Sequence, residues 1–425
     1  MAIKLSLPIE QNWSCHACGG CCRQHDIIMT DEERQRIVEQ NWTEADGIPT
    51  RFSEVQRKHR GRAWHRMRQR DDGSCVFLAE DGKCRIHGKF GEEAKPLACR
   101  VYPYVFHPAG GRMAVSLRFS CPSVVRNLGR GVETQRSEIR RIAGAVVPSG
   151  ATDLPPADLT KGRPLRWATL RTIVEAIEEE IADASEPLGV RLLRVATWLP
   201  VLPSRPIEDA SDADLTEFLA LIRQMAATEV TRDADTWPSP GRTAMTQFRL
   251  LAGQYARLET GGSDRSLGSR IGLLKLALRL TGGRGSVPAV RSEFGAVSFE
   301  TLDAPLAEIP DGVDAILERL LLVKVGGLHF CGRGYYGHPL VEGFAALLLL
   351  VASIHYLARW NAATEGEPLD ADHYVTAITS ADHHHGFSPV LDQRNARQRV
   401  RFFLTSGELR PLLRRFACDR PAVHA

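Results

Sequence analysis

Eight of the ten cysteines lie in the first 121 residues, and four of them form one run, Cys15-His16-Ala17-Cys18-Gly19-Gly20-Cys21-Cys22. The other four are Cys75, Cys84, Cys99 and Cys121. Thiols this dense hold a metal or an iron–sulfur cluster more readily than disulfides when the chain stays in a reducing compartment. Residues 1–13 carry one lysine and no apolar core of the kind a secretory signal needs, so a cytoplasmic location is expected.

Cys15, Cys18 and Cys21, at C-x2-C-x2-C spacing, can wrap one inorganic core, because each two-residue step turns the chain back on itself. Gly19 and Gly20 make that path sterically cheap. Bacterial ferredoxins take a fourth ligand from a distant Cys-Pro, and Cys121-Pro122 supplies one here, leaving Cys22, Cys75, Cys84 and Cys99 as a second set. The sets can equally be mixed, since neighbouring Cys21 and Cys22 point in different directions, and the partition stays open. An iron–sulfur cluster, of the 4Fe-4S kind, is the first expectation. Zinc or mononuclear iron is the second, because four thiolates also satisfy a tetrahedral ion, and unligated thiols are the third. His16, His25 and His87 are near enough in sequence to replace a cysteine, but each reads first as a surface or hydrogen-bonded histidine.

The order of motifs adds to this. Cys15-x2-Cys18-x2-Cys21-Cys22 is followed by Cys75-Val-Phe-Leu, Gly82-Lys-Cys84-Arg-Ile-His87, Cys99-Arg-Val-Tyr-Pro103 and Ser120-Cys121-Pro122. This pattern resembles the CxxCxxCC cysteine-cluster family of zinc- or iron-chelating proteins, and it is similar to its larger members related to flagellin lysine N-methylase. The resemblance is specific over about the first 130 residues. It implies a metal centre on Cys15, Cys18, Cys21, Cys22, Cys75, Cys84, Cys99 and Cys121, and methyl transfer from S-adenosylmethionine to lysines of a protein substrate. No catalytic residue carries over. No glycine-rich loop follows a strand to hold the donor: Lys324-Val-Gly-Gly327 is the nearest approach and lacks a spaced third glycine. The C-x3-C-x2-C spacing of radical-type clusters is absent too. Enzyme and non-enzymatic interaction module with a structural zinc site are therefore the two classes in play.

These cysteines need elements to position them. Thr30-Asp-Glu-Glu33 opens a helix that turns Ile37 and Val38 inward, and Ala114–Cys121 alternates as a strand presenting Val115, Leu117, Phe119 and Cys121 on one face. The run from Arg51 to Arg70 is strongly basic but has only Trp64 as a stacking aromatic. It reads as a solvated helix or loop, and nucleic acid is not expected as a partner. Val147–Pro164 has the composition of a linker. The fold class expected is α+β, predominantly α, with a small cysteine-rich metal-bound module over 1–130, a linker over 131–164 and a mainly helical domain over 165–425.

In that last part Leu170, Ile173, Val174, Ile177 and Ile181 make one helical stripe. Leu215, Phe218, Leu219, Ile222 and Met225 make another, capped by Ser211 and Asp214. Helical spacing continues over Met245–Leu258, Leu267–Leu280, Val313–Val325 and Pro339–Trp360, and Val287–Leu302 alternates like a hairpin. Phe344–Leu357 is shorter than the roughly 20 residues of a membrane span and reads as a buried helix, so no membrane insertion is expected. Gly326–His338 suits either a small-molecule pocket or a plain glycine turn, with the turn preferred. His383-His384-His385 reads as a solvated loop, His355 as a core histidine and Cys418 as a small buried residue. A composition of 43% apolar and 25% charged residues, with net charge +3, is that of an ordinary globular protein and selects no partner. Oligomeric state is not legible.

Overall fold

The structure is a computed structural model that describes residues 3–59, 62–232, 238–257 and 267–418. Helix outweighs strand, 54% against 11%, so the fold is α+β and mainly helical, with strands confined to short local sheets. Tyr104–Pro108 and Met113–Leu117 form an antiparallel pair that Leu5–Ser6 joins in parallel. Ile28–Thr30, Arg62–Met67 and Ser53–His59 form a second antiparallel sheet, and Asn12–Trp13 pairs with Arg130–Gly131.

The basic run is therefore a β-hairpin and not a solvated helix or loop. Its period of two is hidden by the arginines: His65 and Met67 turn inward with Ser53, and Val55, opposite His65 on that same face, stays half exposed. The strand expected over Ala114–Cys121 stops at Leu117, and Cys121 instead caps the short helix Pro122–Val125. Alternation does not describe Met113–Leu117 either, because all five of its residues are buried. Thr30 caps the helix Asp31–Val38 with the reciprocal bonds of a capping box to Glu33. Ile37 is buried as expected, but Val38 lies at the exposed C-terminal end.

Two apolar clusters hold the chain together. The smaller contains Met29, Ile37, Ile48, Phe52, Met67, Cys75, Val76, Phe77 and Ile86, with Cys22 and Cys84 at its edge. The larger joins Tyr104, Val115, Leu117, Phe119 and Val124 to the helical body. Residues 147–164 keep their turn-rich composition yet bury Ala151, Ala157 and Leu159 in that larger cluster, and Asp158 and Leu159 carbonyls accept the N–H groups of Leu340 and Val341.

Trp167–Ala182 buries the whole expected stripe of Leu170, Ile173, Val174, Ile177 and Ile181. Asp212–Arg232 begins at the Ser211 cap and buries Leu215, Leu219 and Ile222, but Met225 is 61% exposed, so its stripe is narrower than expected. The hairpin expected over Val287–Leu302 shrinks to two pairs, Ser286–Val287 with Val297–Ser298. Ser298 then caps a helix, Phe299–Asp303, by accepting the Glu300 N–H.

The central helix, Leu340–Glu365, is longer than expected at 26 residues, and by length and composition it passes for a membrane span. Its most apolar window is 94% buried inside the protein, packed by Arg242–Ala256, Ala371–His384, Arg394–Thr405 and Leu409–Phe416. A helix covered on all sides is apolar on all sides, and each leucine it buries contributes about 1.5–3 kcal/mol.

Candidate metal centre

The cysteine run folds back through two left-handed residues. Ala17 has φ 53° and Gly19 φ 70°, and the short helix Gly20–Gln24 begins immediately after them. A Cβ on Gly20 would lie 3.4 Å from Pro122 Cδ and 3.6 Å from Cys18 Sγ, so the Cys121-Pro122 turn lies directly against the run. Gly82, at φ 79°, brings its own turn so near that a Cβ would approach the Ala17 carbonyl oxygen to 2.8 Å. Glycine is required there both by conformation and by space.

Each later cysteine is delivered by a different element. The Cys75 N–H donates to the Cys22 carbonyl at 2.7 Å, Cys84 caps the helix Arg85–Phe90, and Cys99 lies in the helix Leu97–Val101. That last helix is tied to the Thr30 capping box, because Glu33 Oε1 also accepts the Leu97 N–H at 2.6 Å.

Electrostatics shows which thiols face one another. The Sγ atoms of Cys21 and Cys22 are 3.9 Å apart, and this contact, with burial, drives the Cys21 thiol far up, Lys95 opposing weakly. Burial pushes Cys75 to about 11, helped by Cys84 and Cys21. Burial also drives Cys99 well above the ordinary thiol range, and Cys75, Cys84 and Cys21 add to it. Cys21, Cys22, Cys75, Cys84 and Cys99 thus share one neighbourhood. Cys121, pushed to about 11 mainly by burial, has Cys18 as its thiol neighbour, and Cys15 is exposed. Tyr102, held protonated chiefly by burial, feels both Cys121 and Cys21 and so stands between the two groups.

Cys21 and Cys22 lie side by side, against the expectation that these neighbours point in different directions. The thiols are gathered but not closed around a point. Among the described residues, three ligand atoms within 4.8 Å of one another occur at Glu365, Glu367 and His373 instead. Chemically, burial and neighbouring thiols push Cys21, Cys75 and Cys99 up, so without a cation these three stay protonated. A divalent ion or an iron–sulfur core reverses that balance and converts them to thiolate ligands, so the donor set fits such a group.

The histidines divide. His16 is exposed and bonds the Ser14 carbonyl at 2.8 Å, and His87 is exposed on its helix. His25 is largely buried, its pKa lowered to about 3 by desolvation and by Arg118. Its ring packs on Tyr102 at 4.7 Å and on His383 at 5.0 Å between centroids.

The latter contact corrects the reading of His383–His385 as a solvated loop: His384 and His385 are buried at the end of the helix Ala371–His384, and Tyr255 and Tyr335 contact His385. The same helix reaches the cysteine module again through Asp382, which accepts the Ser120 N–H at 2.8 Å, and through the His383 carbonyl, which accepts from Arg118. No local signal in the sequence announces these long-range contacts.

His355 is a core histidine bonded to the Tyr374 hydroxyl at 2.7 Å, and Cys418 is buried, as expected. Gly326–His338 is a series of turns with a Gly332–His338 bridge. The voids beside it are about 10 and 20 Å³, room for a water and not for a small molecule. A larger open groove of about 540 Å³ is lined by Val101, Tyr104, Phe106, Met113 and Arg333.

Thiols collected from four short elements around two left-handed turns define a cysteine-based metal-chelating module attached to a helical body. Residues 14–122, 109 of the 425, match the family model CxxCxxCC, described as a putative zinc- or iron-chelating domain. No curated protein and no solved structure matches the chain.

Proposed function

We propose that the module holds an iron–sulfur cluster in a reducing cytoplasm, with Cys21, Cys75, Cys84 and Cys99 as its ligands and Cys22 beside them. One observation carries this reading: five thiols share a single electrostatic neighbourhood, which supplies the four cysteine ligands that a 4Fe-4S cluster takes. The resemblance in motif order to flagellin lysine N-methylase-like proteins supports a second step, methyl transfer from S-adenosylmethionine to a protein lysine. The groove that includes Val101, two residues from Cys99 on the same helix, has room for that donor.

When bound, the cluster supplies redox or Lewis-acid chemistry. The chain's own part is to bury the thiols, exclude water through the Met67–Phe77 apolar cluster and keep Tyr102 protonated beside them.

The test is metal and acid-labile sulfide content, with a visible spectrum, on protein purified without oxygen. Iron and sulfide in near-equal amounts with a brown chromophore is the expected result. Zinc without sulfide would replace the cluster with a structural ion, the reading in which the module serves interaction and not catalysis. Calorimetry of the metal-loaded protein with S-adenosylmethionine tests the second step, and absence of binding heat would remove it.

A further inference from the structure

We propose that the turn between the central helix and the histidine helix is a separate divalent transition-metal site, formed by Glu365, Glu367 and His373. One ligand atom of each lies within 4.8 Å of the others. The site is remote in sequence from every cysteine of the module and uses nitrogen and oxygen donors in place of sulfur.

The independent observation is His373. Its side chain is only 3% exposed, and its Nε2 is buried without a hydrogen-bond partner, 3.3 Å from Glu365 Oε2. Its Nδ1 lies 2.6 Å from Asp370 Oδ1, with the Asp370 N–H farther away at 3.2 Å. Nδ1 accepts the Asp370 N–H in a capping box; with an ion on Nε2, Nδ1 would carry the proton and donate it to the Asp370 carboxylate 2.6 Å away. A carboxylate behind a histidine that offers its other nitrogen is the arrangement that orients metal-ligating histidines.

Glu365 is held in place as well, since Asn361 Nδ2 donates to its Oε1 at 2.8 Å and so directs Oε2 toward His373. Both glutamates are open to solvent, which leaves water to complete the coordination. One imidazole and two carboxylates suit Zn²⁺ or a neighbouring first-row ion better than Mg²⁺ or Ca²⁺, which prefer oxygen alone. Bound there, the ion clamps the last turn of one helix to the first turn of the next.

The experiment is a Co²⁺ titration of the full-length protein with its thiol site already loaded, followed by visible absorption. One equivalent should bind with weak d–d bands and no sulfur-to-cobalt charge transfer. Glu367→Gln, an isosteric change at an exposed position, should abolish that equivalent, and Asp370→Asn should weaken it about 10–100-fold. Wild type that binds no thiolate-free cobalt at about millimolar metal would show that a proton alone bridges His373 and Glu365, overturning the site. Unchanged affinity in Glu367→Gln would overturn it too.

Discussion

The ammonium of Lys324 and the carboxylate of Asp382 meet at 2.5 Å with both side chains sealed from solvent. Lys324 closes the helix Val313–Gly326, and the second oxygen of Asp382 accepts the backbone N–H of Ser120, the residue before Cys121. One ion pair therefore ties two helices of the body to the cysteine module. Removing one partner leaves a buried charge unpaired, which costs about 3–5 kcal/mol. Asp382→Asn should show that loss in urea unfolding, and Lys324→Met with Asp382→Leu should recover most of it. Equal stability of the single variant and wild type would mean that water reaches the pair.

The thiol neighbourhoods predict unequal effects of serine substitutions. Cys21→Ser, Cys75→Ser and Cys99→Ser should each lower metal content, measured by elemental analysis on protein purified without oxygen. Exposed Cys15→Ser should retain most of it. A uniform loss across all four variants would instead support the ferredoxin-like partition with Cys15 as a ligand.

That partition shows where the sequence stops being informative. Cysteine spacing announces a metal module, and the 3.6-residue period of Leu170, Ile173, Val174, Ile177 and Ile181 announces a helix, because both signals are local. Which thiol faces which depends on Gly82 packing against Ala17 and on Cys75 bonding to Cys22, contacts across more than fifty residues. His383–His385 misled for a related reason. Three histidines in a row look solvated, and their burial is set by Tyr255, Tyr335 and His25, none of them near in sequence. The Arg51–Arg70 hairpin was obscured by charge density, since only one side of it faces inward.

Buried neutral histidines make the fold acid-sensitive. Burial lowers His355 to about 3 and His329 and His385 well below the usual range, with Lys324 adding to the last two. The unfolded chain takes up these protons near pH 6.5, whereas the folded chain resists them. The stability is full above about 6.5 and is lost as pH falls toward the folded values, by about 1.4 kcal/mol per pH unit for each histidine. Melting temperatures between pH 7.5 and 4.5 should fall steeply, and His355→Gln should remove one histidine's share of the slope. An unchanged slope in that variant would exclude His355 as a contributor.

Glu178 works in the opposite direction. Burial first, then Glu175 and Glu10, raise its carboxyl to about 7. Its Oε1 also sits where a Cβ on Gly326 would come within 2.4 Å. The folded state holds this proton more tightly than the unfolded state, so the contribution is complete below about 4.5 and is lost as pH rises through about 7. Glu178→Gln should raise stability by about 2 kcal/mol at pH 8 and by little at pH 5, read from urea midpoints. Equal effects at the two pH values would mean that the carboxyl titrates normally.

Asp382 reaches Ser120 across 262 residues, and that span has a consequence for synthesis. A ribosome makes the chain from its N-terminus, so every thiol of the module emerges long before the helix that holds Ser120 beside Cys121. The segment before Cys121 therefore waits, during synthesis, for a carboxylate that leaves the ribosome only after more than half of the chain has followed it.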